Sequence, residues 1–306
     1  MIKYYYKNAK GKITSATRKR DGSVLYLLKP SNEELRNISK RYKLDIDILT
    51  DALDTFEVPR LDLDNGTLYL FVRYATTDEE VISTNLVLIV YRKDLLIFIA
   101  NDGARGMIRE ALEQNKNETH LDTVWSFLDL INNSYEKTML KINKRINEAK
   151  RNLAAAHDIS NKTFIELVRF EDQLSDFLAA LTPTNTLLSK LGNKKIAPVI
   201  EVEEDELEDI YLENLQLIEI CRASQRTIVN IREAYSTINT NNLNRLFKFF
   251  TSISIILTIP TILSSMYGMN VDLPLSHRPD AFLMVIAIQV IITLGCVAIF
   301  IRNRWL

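Results

Sequence analysis

The sequence predicts an α/β domain joined by a long helical stalk to a two-helix transmembrane hairpin at the C-terminus. Three observations predict it. Apolar runs broken by tight-turn residues fill the first hundred positions, no Pro or Gly falls between Pro198 and Pro260, and the charge-free stretches Phe249 to Met266 and Ala281 to Ile301 lie at the end. Each charge-free stretch has roughly the 20 apolar residues needed to cross a hydrocarbon core of about 30 Å. Bulk composition conceals them, because 306 residues with a net charge of −1 look like an ordinary soluble protein. That near-neutral balance supplies no global basic field for nucleic acid.

In the first hundred residues, "SVLYLL" (Ser23 to Leu28) reads as a strand, and Ser31 with Glu34 reads as the capping box of the helix that follows. "RLDLDNGTLYLFVRYA" reads as a hairpin turning at Asp64-Asn65-Gly66, since Asn-Gly supplies the positive φ angles of a tight turn. "NLVLIVYRKDLLIFIA" repeats the pattern around Arg92-Lys93-Asp94. Helical sequence follows at about 103–115, 121–156 and 161–191, with Gly192 as a stop. Beyond Pro198, Ile210, Leu217, Cys221, Ile228, Ile231, Tyr235 and Ile238 keep close to the three-and-four rhythm of a packed seam. A helix of about 65 residues at 1.5 Å each would be a rod of roughly 100 Å, expected to pack against copies of itself. The expected division is 1–102 cytosolic α/β, 103–198 cytosolic helical, 199–267 stalk and first span (from about 247), 268–280 outer loop, 281–301 second span and 302–306 tail.

Orientation follows from basic flanks. Arg245 and Lys248 precede the first span, while Arg302 and Arg304 follow the second. Basic residues stay on the cytoplasmic side, so both termini are expected there, in a multi-pass protein of the cell membrane. The start, "MIKYYYKNAKGK", has no apolar core of a secretory signal. Cys221 and Cys296 suggest no disulfide.

Catalytic patterns are missing from the sequence. It contains no GxxxxGK[ST] loop, no GxGxxG and no CxxC, and His120, His157 and His277 lack the spacing of a zinc site. No nucleophile elbow or other constellation favours an enzyme, and no organic cofactor is implied. The acidic run "EVEEDELED" (Glu201 to Asp209) suits the first turns of a helix after a proline. It also offers the oxygen ligands that hard cations such as Mg²⁺ prefer.

The junction between the spans carries the functional signal. "YGMN" (Tyr267 to Asn270) closes the first span, the link is short, and the chain ends in a basic patch with Trp305-Leu306. In that setting the motif resembles the signature of the CorA family of magnesium channels. "YKLDIDILTDALDTFEVPRLDLDNGTLYLFVRY" (Tyr42 to Tyr74) and "LEDIYLENLQLIE" (Leu207 to Glu219) resemble that family's upstream strand pair and the start of its stalk helix. The resemblance implies a homopentameric funnel whose first spans line a pore and whose second spans face lipid. Gly268, Met269 and Asn270 would form an outer selectivity ring for Mg²⁺, and Co²⁺ or Ni²⁺ could share the route. Mg²⁺ sheds water reluctantly, so an uncharged ring of amide and carbonyl dipoles suits a hydrated ion without trapping it. The bland reading makes Gly-Met-Asn only a helix stop, with Gly268 and Asn270 as C-cap residues. Where the family's sensor would place an Asp after a Tyr in the early stalk, this chain has Leu212, with Asp209 and Glu213 nearby.

The first span adds its own pattern. Asn244, Phe247, Thr251, Ser254, Thr258, Thr261 and Ser265 fall at steps of three and four, while Ile255, Ile256, Leu257, Ile259 and Ile262 are expected on the other faces. Such a stripe suggests a water-facing pore wall with Phe247 as a constriction, although small residues also help spans to pack. Glu208, Asp209 and Glu213 are candidate regulatory Mg²⁺ ligands, with Asp78 and its neighbours Glu79 and Glu80 next in line. A zinc or other divalent-metal transporter of the same superfamily is the alternative, and a membrane-anchored scaffold the remote one.

Overall fold

The computed structural model describes residues 2–7, 12–16, 23–78, 81–100, 103–114, 119–154, 161–192, 204–270, 274 and 278–305. The side chain of Asp78, together with Glu79, Glu80, the first residues of the acidic run (201–203), His157, His277, most of the outer loop and Leu306, lies outside them. The chain divides into two compact units, Met1–Ile231 and Arg232–Leu306.

The first unit is built on a seven-stranded sheet ordered β2-β1-β3-β7-β6-β5-β4, in which only β3 and β7 run parallel. The strands are β1 (Ile2–Lys7), β2 (Ile13–Ala16), β3 (Val24–Leu28), β4 (Arg60–Asp64), β5 (Thr67–Asp78), β6 (Val81–Arg92) and β7 (Leu95–Ala100). Both anticipated turns form. Asn65 and Gly66 take φ of 46° and 72° between β4 and β5, and Lys93-Asp94 joins β6 to β7 with Arg92 opposite Leu95. The β1–β2 pair and the long β5–β6 ladder were not anticipated. They rest on non-local pairing that short windows of sequence do not display.

Every residue of β7 is buried, as expected of a strand covered on both faces. On one face, Leu25, Leu27, Phe71, Leu88 and Ile97 share a core with Leu35 and Ile38 of α1 (Asn32–Tyr42) and Leu49 of α2 (Ile46–Asp51). The anticipated capping box holds the start of α1, with Ser31 and Glu34 exchanging backbone bonds. Arg60 ties the α2–β4 connection together by bonding Asp51, Glu57 and Asp62. Its guanidinium also lies 4.1 Å from the Phe71 ring centre.

The opposite face receives α3 (Arg105–Gln114), α4 (His120–Ala154) and α5 (Asn161–Leu191). Phe98 meets Phe127 with ring centres 4.9 Å apart, and Tyr135 donates to the Arg73 carbonyl at 3.1 Å. These bonds seat α4 on β5. The sixth helix, α6, runs unbroken from Glu204–Tyr267 and passes through Pro260.

The apolar seam of α6 finds a partner within the chain over most of its length. Ile210, Leu217, Cys221, Ile228 and Ile231 are buried, whereas Tyr235 is half-buried and Ile238 exposed. The cover is α4, which runs parallel to α6 and contacts it at matching intervals. Asn214 donates to Asn132 at 3.3 Å, Cys221 meets Met139 at 3.1 Å, and Ser224 meets Asn143 at 2.6 Å. A helical rhythm announces an apolar face without naming its partner, and a second helix of 35 residues was available to fill it. Beyond that seam the cover ends. Every residue from 236 to 251 is exposed.

The second unit contains the lower part of α6 and α7 (Ala281–Arg302). Both helices are long and apolar enough to span a membrane, and almost nothing on them is buried. Ser252 is buried and Ile256, Ile259, Pro260 and Leu263 are half-buried on α6, as are Met284, Gln289, Thr293 and Cys296 on α7. Each set lies on one side of its helix, so within this unit the two helices cover one another. Phe282, Leu283, Ile291 and Leu294 stay exposed on α7.

Candidate functional site: the end of α6 and its polar stripe

The helix α6 ends by tightening. The Gly268 amide donates to both the Ser264 and Ser265 carbonyls, at 3.1 and 3.2 Å, and the Met269 amide donates to the Met266 carbonyl at 3.2 Å. Such i→i−3 bonds mark a last turn of 3₁₀ character. Neither Gly268 nor Asn270 has a positive φ, so neither is a left-handed cap. A Cβ built on Gly268 would meet the Ser265 and Ser264 carbonyl oxygens at 3.4 and 3.5 Å, which is ordinary contact. Among the described residues nothing requires glycine here. Met269 and Asn270 are exposed, and the Tyr267 hydroxyl donates to the Pro274 carbonyl at 3.2 Å.

Asn244, Phe247, Thr251, Ser254, Thr258, Thr261 and Ser265 are all exposed along α6. At 100° per residue they occupy an arc of about 100°, centred roughly 160° from the face that α7 covers. Ser254, Thr258 and Thr261 each donate their hydroxyl hydrogen to the carbonyl four residues back, at 2.9, 2.7 and 3.0 Å. Their lone pairs therefore point away from the helix as acceptors. The other-face expectation holds for Ile256 but not for three of its neighbours. Ile255, Ile259 and Ile262 line the same groove as Phe247, Thr251, Ser254 and Thr258, because steps of four, eight and eleven residues from Thr251 stay toward one side of a helix. The stripe is a polar centre with an apolar margin.

The acidic candidates are scattered. Glu208 and Asp209 are exposed on α6. Glu213 is exposed as well, and it borders a small cavity of about 140 Å³ lined by Asn132, Asn133, Glu136 and Gln216. Burial raises the Glu213 carboxyl above its ordinary range, and the charges of Asp129, Asp209 and Glu136 push it further in the same direction. Burial likewise raises Asp129. Among the described residues, no three His, Cys, Asp or Glu side chains converge to hold a metal ion. The sequence reading missed Asp129 and Glu136, whose seven-residue spacing on α4 puts both on one side of that helix.

Comparison with known proteins bears on these features. Residues 25–302 match a protein-family profile described as "CorA-like Mg2+ transporter protein". The chain is 25% identical over 285 residues to the "Cobalt/magnesium transport protein CorA" of Methanocaldococcus jannaschii, covering 90% of this chain and 89% of that protein. The solved structure of the complete CorA magnesium transporter from the same organism superposes with a TM-score of 0.86 at 22% identity, over 100% of this chain and 99% of that one. The full-length CmaX protein superposes with a TM-score of 0.79 at 17% identity, over 100% of this chain and 98% of its own.

Proposed function

Because the chain belongs to the CorA-like Mg²⁺ transporter family, a family of divalent-cation transporters, we propose that it is a passive Mg²⁺ channel. The observation that carries this reading is the polar stripe. It lies opposite the α7-covered face and leads to Gly268, Met269 and Asn270 at the end of the same helix.

A fully hydrated cation presents water hydrogens outward, so its path needs acceptors rather than donors. Hydroxyls whose hydrogens are committed to the α6 backbone meet that need. Five copies around an axis would stack them as rings. At the helix end, Asn270 supplies an amide oxygen and Gly268 lets backbone carbonyls approach the ion path. No carboxylate lies between Glu233 and Asp272, so the path would offer contacts weak enough to release the ion. Phe247, 66% exposed, would form a ring that closes by dewetting. The spans would sit in the cell membrane with both termini cytoplasmic, set by Arg245, Lys248, Arg302 and Arg304. Cytosolic Mg²⁺ would favour the closed state through Glu208, Asp209, Glu213 and Asp78, their ligand sets completed by another copy.

The test is ion uptake by the purified protein in liposomes, comparing Mg²⁺, Co²⁺, Ni²⁺ and Zn²⁺ with and without a pH gradient. Mg²⁺ uptake independent of the gradient is expected. Gradient-dependent Zn²⁺ uptake without Mg²⁺ flux would replace this reading with the zinc-transporter alternative.

A further inference from the structure

The last residues of α7 fold into a tight cap. The Trp305 amide donates to the Phe300 carbonyl at 2.9 Å, and the Arg304 amide donates to the Ile301 carbonyl at 3.1 Å. With Asn303 as the cap residue, these are the two bonds of a Schellman motif, and the apolar contact that accompanies it is present. Phe300 and Trp305 stack with ring centres 5.8 Å apart and planes 10° apart. The residue after the cap must be left-handed, and glycine is usual there. This chain places Arg304 there instead, at φ 56°. An arginine in that conformation costs stability that glycine would not, which raises the question of a use for the guanidinium.

The use is indicated by what lies beside it. Arg304 and Trp305 line a groove of about 1290 Å³ together with Asn241, Asn242, Arg245 and Lys248 of α6, whose other lining residues include Asn244, Phe247 and Thr251 of the polar stripe. Three cations and three amides thus face one space. No Asp or Glu occurs between Glu233 and Asp272, or after Asp280, to neutralise them. Arg245 and Lys248 also lie on the same side of α6 as Ser252, the side that α7 covers rather than the centre of the polar stripe. The groove is at one end of two apolar helices, with an aromatic stack of the kind that sits at a bilayer's headgroup level.

We propose that this groove binds the phosphate of an anionic phospholipid, Arg304 and Lys248 holding the oxyanion and Trp305 lying along the lipid. Arginine matches phosphate with paired donors, and lysine contributes a point charge. The inference rests on the membrane reading of α6 and α7 and is independent of whether the protein conducts Mg²⁺.

Tryptophan quenching tests it on the full-length protein in bilayers. Trp125 and Trp305 are the two tryptophans, and Trp125 is buried in the first unit, so lipid-borne bromine reports Trp305. One set of vesicles contains phosphatidylglycerol brominated on its chains in plain phosphatidylcholine. The other reverses the label at the same mole fractions. Brominated anionic lipid should quench more strongly, reflecting local enrichment of about fivefold per basic residue engaged. Arg304→Gly suits the left-handed position and keeps the cap, so loss of the preference in that variant cannot be ascribed to unfolding. Lys248→Gln should reduce the preference as well. Arg302, which is outside the groove lining, is the control, and Arg302→Gln should leave the preference nearly intact. Equal quenching by the two labels, or an equal loss with Arg302→Gln, would overturn the proposal in favour of general surface attraction. In detergent without lipid, a Trp305 response to millimolar inorganic phosphate with no lipid preference in vesicles would assign the groove to free phosphate instead.

Discussion

At the scale of the residue, Gly268 separates two explanations that the sequence could not. As a left-handed cap it would be needed for folding; with no positive φ and only ordinary contacts awaiting a Cβ, it is not. Gly268→Ala should therefore leave thermal unfolding within about 1 °C of the parent, in line with a stability change under ~0.5 kcal/mol. It should nevertheless lower Mg²⁺ uptake, because the methyl group would enter the space that copies or the ion occupy. Asn270→Ala should remove Mg²⁺ selectivity and leave assembly intact, since its exposed amide braces nothing among the described residues. Uptake across several ions, with light scattering for the assembly, checks both variants. Wild-type flux in both would remove Gly268 and Asn270 from the filter.

At the scale of the element, α6 uses one continuous helix for two purposes, and its halves differ in how legible they were. Thr251, Ser254, Thr258, Thr261 and Ser265 announced their face because a hydroxyl among isoleucines stands out at helical spacing. Ile210 to Ile231 announced only that a face was apolar; whether α4 or another copy covered it depended on contacts more than 70 residues apart. Asp129, Glu136 and Glu213 were invisible for the same reason. The turns at Asn65-Gly66 and the cap at Ser31 were readable because their chemistry is local. The groove shared by Thr258 and Ile262 also sharpens the test of the stripe. In a background lacking Cys221 and Cys296, cysteines at 251, 258, 261 and 265 should react with a water-soluble thiol reagent and block transport. Ile256 and Leu263, half-buried on the α7 side, are the proper unreactive controls, while 255 and 262 should react partially as margin positions. Labelling of 256 and 263 as fast as 258 and 261 would exclude a water-filled path on this face.

At the scale of the whole molecule, one chain leaves too much uncovered to be complete. Residues 236 to 251 have no cover, although Leu243, Leu246, Phe247 and Phe250 lie among them at 48, 52, 66 and 61% exposure. Apolar residues gathered on an uncovered helix mark an association surface, so Leu243→Asp with Leu246→Asp should shift the purified protein from the proposed pentamer toward smaller species by light scattering. A closed assembly also gives meaning to the charges of the first unit. Glu213 titrates above the ordinary carboxylate value of 4.5 because burial and the charges of Asp129, Asp209 and Glu136 disfavour its ionised form. A group raised in this way binds its proton more tightly when folded, so its stabilising contribution is full below the unfolded value and is lost as pH rises through the folded one. The ionised Glu213 carboxylate is therefore the disfavoured form at the edge of the α4–α6 seam, and a proton or a divalent cation would relieve the repulsion from Asp129, Asp209 and Glu136. Hydrogen exchange of α4 and α6 amides in the full chain should show this directly. Between pH 7 and about 5, wild-type protection should rise relative to Glu213→Gln, which should be better protected at pH 7 and flatter with pH. Added Mg²⁺ at pH 7 should raise wild-type protection and leave Glu213→Gln nearly unchanged. A Mg²⁺ effect of equal size in both proteins would place the cation's action away from Glu213, and parallel pH curves would show that its repulsion does not govern the seam.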